Sequence, residues 1–180
     1  MSSTHQIIIK NTAWLLGGQI IGRLLRATIV IYAARVLGAH DWGTFSYALG
    51  IAAFLTVFTD IGVNAYITRE IARGTGLEKQ YLGAAFAIKL ILIMIVCGIA
   101  LLSLPWLSID DQSKILIPIL LLVFIVDTIR DLGTALSRAL ERMEIEAGVG
   151  VFTNFAIAIL GFIFLNTFHS TVALAYAYAI

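Results

Sequence analysis

The chain has 180 residues, 60% of them hydrophobic and 13% charged, with a formal net charge of +1. Soluble domains are about half apolar and roughly a quarter charged, so this composition cannot cover a water-facing surface. The near-neutral balance excludes an overall basic footprint for nucleic acid, and a lone cysteine, Cys97, forms no internal disulfide and no zinc cluster.

A helix needs about 20 mostly apolar residues to cross the hydrocarbon core. Five stretches reach that length: residues 11–34, 44–67, 81–104, 115–135 and 147–168. The first carries Arg23 and Arg26 at its middle and has no small-residue cleavage site, so it is not a cleavable signal peptide. The second is uncharged from Trp42 to Thr59, the third is interrupted only by Lys89, and the fifth carries no charge. A sixth opens at Thr171 and ends at Ile180, too short to cross a bilayer, which predicts that the chain is a fragment of a longer protein. The runs are continuous rather than alternating, so they predict helices and not the strands of a barrel. The expected fold is all-α: a single polytopic transmembrane helix bundle over residues 1–180, with five complete helices and the start of a sixth.

Orientation follows from Lys and Arg in the connections. Lys10, Arg69, Arg73, Lys79, Arg138 and Arg142 fall on one side, and Arg35 and Lys114 on the other. The positive-inside rule places the N-terminus in the cytoplasm, and the expected location is the cytoplasmic (inner) membrane. Trp42 and Trp106 then lie at the outer interface, with Pro105–Asp111 as a short outer turn.

Four basic residues remain inside the spans: Arg23, Arg26, Lys89 and Arg130. Each charge at a helix centre costs about 2.5–3.5 kcal/mol on insertion scales, more for the two arginines together than the Leu, Ile and Val of the first span return, so that helix alone in lipid is marginal. Such residues persist beside water, a counter-charge or a bound anion. Gln19, Arg23 and Arg26 are spaced i, i+4, i+7 and share one face, with Arg23 about midway between Lys10 and Arg35. Two readings are open for them: a salt bridge to a neighbouring helix, or the cationic wall of a central cavity. Gly18 and Gly22 in the same helix have the spacing of a close helix contact. Asp127, Arg130 and Asp131 are spaced i, i+3, i+4, so the two carboxylates can neutralise the arginine within one helix. Lys89 has no local partner and predicts a cavity or an interhelical pair. Asp60 either pairs with a basic residue or takes part in ion coupling. The basic excess suits an anionic substrate bearing phosphate.

No catalytic constellation is present. His5, His40 and His169 are dispersed, and there is no Gly-rich phosphate loop, HExxH or GxSxG. The reading is therefore a protein that is not an enzyme, without metal or cofactor.

Asn11-Thr-Ala-Trp-Leu-Leu-Gly-Gly18 opens the first helix, followed by Tyr32-Ala-Ala-Arg35-Val-Leu-Gly38 and Trp42-Gly-Thr-Phe-Ser-Tyr47. Then come Phe58-Thr-Asp-Ile-Gly62 and Tyr66-Ile-Thr-Arg-Glu-Ile-Ala-Arg73. Over roughly residues 10 to 100 this run resembles the polysaccharide biosynthesis, or Wzx-type, lipid-linked oligosaccharide flippases. These are relatives of the multidrug and toxin extrusion exporters. The resemblance implies the N-terminal lobe of a two-lobed exporter that moves undecaprenyl-pyrophosphate-linked glycan to the outer leaflet for O-antigen, lipopolysaccharide or exopolysaccharide synthesis. It implies partners in the bilayer and in glycan polymerase or export machinery, and basic residues on the first helix facing the substrate. Gln19, Arg23, Arg26 and Lys89 are then the expected substrate-binding set. Asp60, Asp127, Arg130 and Asp131 are the expected ion-coupling or pairing set. Three rivals stand beside this reading. A multidrug or cation antiporter of the same fold calls for carboxylates rather than a basic excess. A membrane glycan polymerase calls for a large catalytic outer loop. A non-transporting scaffold calls for charges that only pair helices.

Overall fold

The structure, a computed structural model, describes residues 2–74, 76–106 and 111–179, with residues 2–8 and 111 described by backbone alone. The elements are α1 (Ser2–Thr59), α2 (Val63–Ala72), α3 (Glu78–Ser103), a 3-10 turn (Leu104–Trp106), α4 (Asp111–Ala139), α5 (Met143–Phe168) and α6 (Thr171–Ala179). Among the described residues there is no strand. Most of the expected outer turn after Trp106, and the expected chain end at Ile180, lie outside the described residues.

The helices follow the apolar runs, with two differences. The first two expected spans form one element, α1, interrupted at Gly38, where φ is 80° and ψ is 173°. A side chain would strain that backbone, so glycine is the residue that permits the turn. The second expected span, 44–67, stops early: α1 ends at Thr59 and α2 begins at Val63, with a bend of 48° between them. Local polar groups account for the break. The Gly62 N–H donates to the Asp60 carbonyl at 2.7 Å, and the Asn64 N–H donates to Asp60 Oδ1 at 3.2 Å. Gly62 itself adopts the left-handed conformation, φ 78°.

Two cores hold the helices together. In the larger, Ile29 and Phe45 of α1 are buried with Leu116, Leu120 and Phe124 of α4, Leu165 of α5 and Leu174 of α6. In the smaller, Ile67 and Ile71 of α2 pack with Ala85 of α3 and Leu132 and Ala139 of α4. Outward positions remain apolar: Leu102 is 78% exposed, Phe152 72% and Trp106 90%. Water would penalise such a surface and lipid does not. Glu78–Trp106 and Met143–Phe168 are each long and apolar enough to cross a membrane, and the bent α1–α2 pair makes a third candidate. The molecule is an all-helical, multi-pass membrane protein.

The first arm of α1 lies along α5 with the two chains running in the same direction. Asn11 meets Glu141, Gly18 meets Ala147, Arg26 meets Asn154 and Gly161 meets Ile29. The approach is close. A Cβ on Gly18 would lie 2.8 Å from the Ala147 Cβ, and a Cβ on Gly161 would lie 2.7 Å from Ile29 Cδ1. Gly18 and Gly22 thus lie on the seam with α5, as small residues do where membrane helices touch.

A candidate anion-binding cleft

Where α1 and α5 diverge toward α4, a cleft of about 300 Å³ opens. Gln19, Arg23 and Arg26 of α1 form one wall, and Arg130, Asp131, Thr134 and Arg138 of α4 face it. Glu146, Gly150 and Asn154 of α5 lie between the two. The spacing that puts Gln19, Arg23 and Arg26 on one helical face aims that face at the cleft.

The cationic groups of the cleft are held differently. On α4, Arg130 donates to Asp127 at 2.8 Å and lies 3.5 Å from Asp131, so two carboxylates engage it within its own helix. At the end of α4, Arg138 Nε donates to Glu146 Oε2 at 2.8 Å across the turn into α5. That hydrogen bond, the largest influence, raises the Arg138 pKa above its ordinary value against the opposing effect of burial. On α1, Arg26 Nε donates to the neutral Asn154 Oδ1 at 3.2 Å, and Asp127 acts on it only beyond ion-pair distance. Arg23 makes no hydrogen bond or ion pair among the described residues. Two guanidinium groups three residues apart therefore face the cleft without a carboxylate bound to either.

The other sequence-derived candidates lie elsewhere. Lys89 does not join this cleft. It is 2% exposed on α3, packed toward α4, and donates to the Thr128 carbonyl at 3.4 Å, with Asp60 and Asp131 acting on it electrostatically. Thr59 and Thr128 meet beside it, their hydroxyl oxygens 3.5 Å apart. Asp60 sits exposed in the α1–α2 break, where its carboxylate caps Asn64. Asp127, with Arg26 and Arg130, borders a second, largely apolar hollow of about 430 Å³ that continues from the cleft toward Ala52, Phe124, Leu160 and Tyr178.

Among the cleft residues that escaped the sequence reading are Asn154, Glu146 and Thr134, and Arg138 as a wall residue. Asn154 is one of a few polar residues in a largely apolar run, next to Thr153 and ahead of Asn166 and Thr167, so the sequence does not single it out. Glu146 lies eight residues after Arg138 across a turn, a distance no helical periodicity marks. Among the described residues no group of three or more His, Cys, Asp or Glu could hold a metal ion.

A 65-residue stretch, 36% of this chain, is 34% identical to a Shigella flexneri protein named "Putative O-antigen transporter". The match spans about 15% of that relative's length. No solved structure matches the chain. Residues 8–180 match the family described as polysaccharide biosynthesis protein. Because that match runs along nearly the whole chain, the chain belongs to the polysaccharide biosynthesis protein family.

Proposed function

We propose that the chain forms the N-terminal lobe of a transporter that flips lipid-linked oligosaccharide from the inner to the outer leaflet of the cytoplasmic membrane. In this reading the N-terminus is cytoplasmic, five helices cross the bilayer and a sixth begins at Thr171. The substrate is a glycan on an undecaprenyl pyrophosphate carrier, and its pyrophosphate enters the cleft on the α1 wall. The single observation that carries the reading is the pair Arg23 and Arg26. Guanidinium groups facing a cleft without bound carboxylates favour a doubly charged oxyanion. Family membership and the name of the Shigella relative point the same way, toward a transporter rather than an enzyme.

A cation exporter of the same fold would need available carboxylates in this lobe. Of the cleft-side carboxylates, Asp127 and Asp131 are instead engaged by Arg130, which favours the anionic substrate; Asp60, exposed in the α1–α2 break, lines no part of the cleft. The test is the double substitution Arg23→Ala with Arg26→Ala in the intact protein, assayed for surface glycan in cells lacking the native gene. Glycan is expected to be lost at unchanged protein level. Normal glycan at normal level would reject the cleft as the substrate site.

A further inference from the structure

Arg26 sits in a small hydrogen-bonded device of its own. Asn154 Nδ2 donates to the Gly150 carbonyl at 2.7 Å, one turn back on α5. That bond sets the amide so that its oxygen, and not its nitrogen, faces α1. The oxygen then accepts the Arg26 Nε proton at 3.2 Å. Only this amide orientation satisfies both contacts, because a guanidinium donates and never accepts. Gly22 makes room for it: a Cβ there would lie 3.0 Å from Asn154 Nδ2.

We propose that Asn154 is a positioning residue, which holds Arg26 by its Nε so that the end-on edge of the guanidinium, its two terminal nitrogens, is presented to an oxyanion of the phosphate class. The proposal rests on the reading of the cleft as an anion site and adds to it a reason for the residue type. Arginine binds oxyanions through paired N–H groups, either side-on through Nε or end-on through the terminal pair. Asn154 occupies the side-on edge, so only the end-on fork is left. A neutral acceptor does this without lowering the net charge. An aspartate in the same place would make the same hydrogen bond and form an ion pair, and the cleft would lose one of its two uncompensated cations. Arg23, one turn nearer the N-terminus on the same wall, then supplies the second charge.

The experiment uses the intact protein in nanodiscs of zwitterionic lipid, with undecaprenyl pyrophosphate as the probe. Asn154→Asp keeps the acceptor toward Arg26 but replaces the donor to the Gly150 carbonyl with a carboxylate oxygen; it is expected to weaken binding about tenfold or more, with a modest loss of thermal stability. Asn154→Ala, which releases Arg26 without neutralising it, is expected to weaken binding by a smaller factor. A merely structural asparagine would lose binding only in step with stability, and no more in Asn154→Asp than in Asn154→Ala, and that pattern overturns the proposal. Arg26→Ala is the control on the underlying reading. If Arg26→Ala binds like the parent, the anion site itself is wrong. If Arg26→Ala loses binding while both Asn154 variants keep it, the positioning role alone is wrong. Titration with phosphatidylglycerol separates two sources of the same chemistry. Weak competition assigns the fork to the carrier pyrophosphate, and equal competition assigns it to bilayer phosphates as well; both outcomes require the fork.

Discussion

The α1 wall of the cleft and the Lys89 pocket look alike in sequence and differ in structure. Both place basic side chains in long apolar helices with no counter-charge nearby in the chain. In the cleft, Arg23 and Arg26 are exposed to an open space and lack carboxylate partners. In the pocket, Lys89 is 2% exposed and donates to the Thr128 carbonyl at 3.4 Å, with Asp60 and Asp131 acting on it only beyond ion-pair distance. The difference between the two is access: the arginines face an open cleft, whereas Lys89 is closed off from it.

The largest effect that bears on this contrast comes from reversing the buried charge. Lys89→Glu would bury a carboxylate against the Thr128 carbonyl and near Asp60 and Asp131. It is expected to cost about 3–5 kcal/mol, seen as low protein abundance and a depressed unfolding midpoint in detergent. Lys89→Met keeps most of the volume and is expected to stay within about 1 kcal/mol of the parent, with surface glycan intact. Loss of glycan from a stable, abundant Lys89→Met protein would erase the contrast and return Lys89 to the substrate set.

A middle-sized effect tests whether the seam behind the cleft is packed as closely as it looks. Gly161→Leu would push into Ile29 and is expected to cost about 1–3 kcal/mol, lowering the unfolding midpoint. An unchanged midpoint would mean the helices separate easily there. The smallest effect is at the cleft mouth. Arg138 is about half-exposed and its pair with Glu146 is partly screened, so Arg138→Ala is expected to cost only about 0.2–1 kcal/mol. Glycan output close to normal would place Arg138 with the compensated charges, and a loss as complete as that of the Arg23 and Arg26 double variant would place it with the substrate-facing ones.

The helical architecture was legible because lipid removes every other way of satisfying the backbone, so apolar length alone reports a helix. The α1 wall was legible for a similar reason: three polar residues at helical spacing must share a face. The break at residues 60–62 was missed because the apolar run continues through it, although Asp60-Ile-Gly62 carries the acceptor and the glycine that such a turn needs. The separation of Lys89 from the two arginines was not legible, since residue type carries no address among helices. Asn154 was missed for the same reason. Its partner is 128 positions earlier, and only the parallel course of α1 and α5 brings the two together.

The glycine contacts of that seam also bear on how the lobe can change shape. With Gly18 against Ala147 and Gly161 against Ile29, α1 and α5 have no slack along which to slide. Under the proposed transport reading, opening is expected to move the two together, with the non-helical joints at Gly38 and at residues 60–62 as the places to bend. A wider cleft is then expected from changes on its α4 side. Adaptation to a bulkier cargo is expected at positions such as Thr134, not along the glycines.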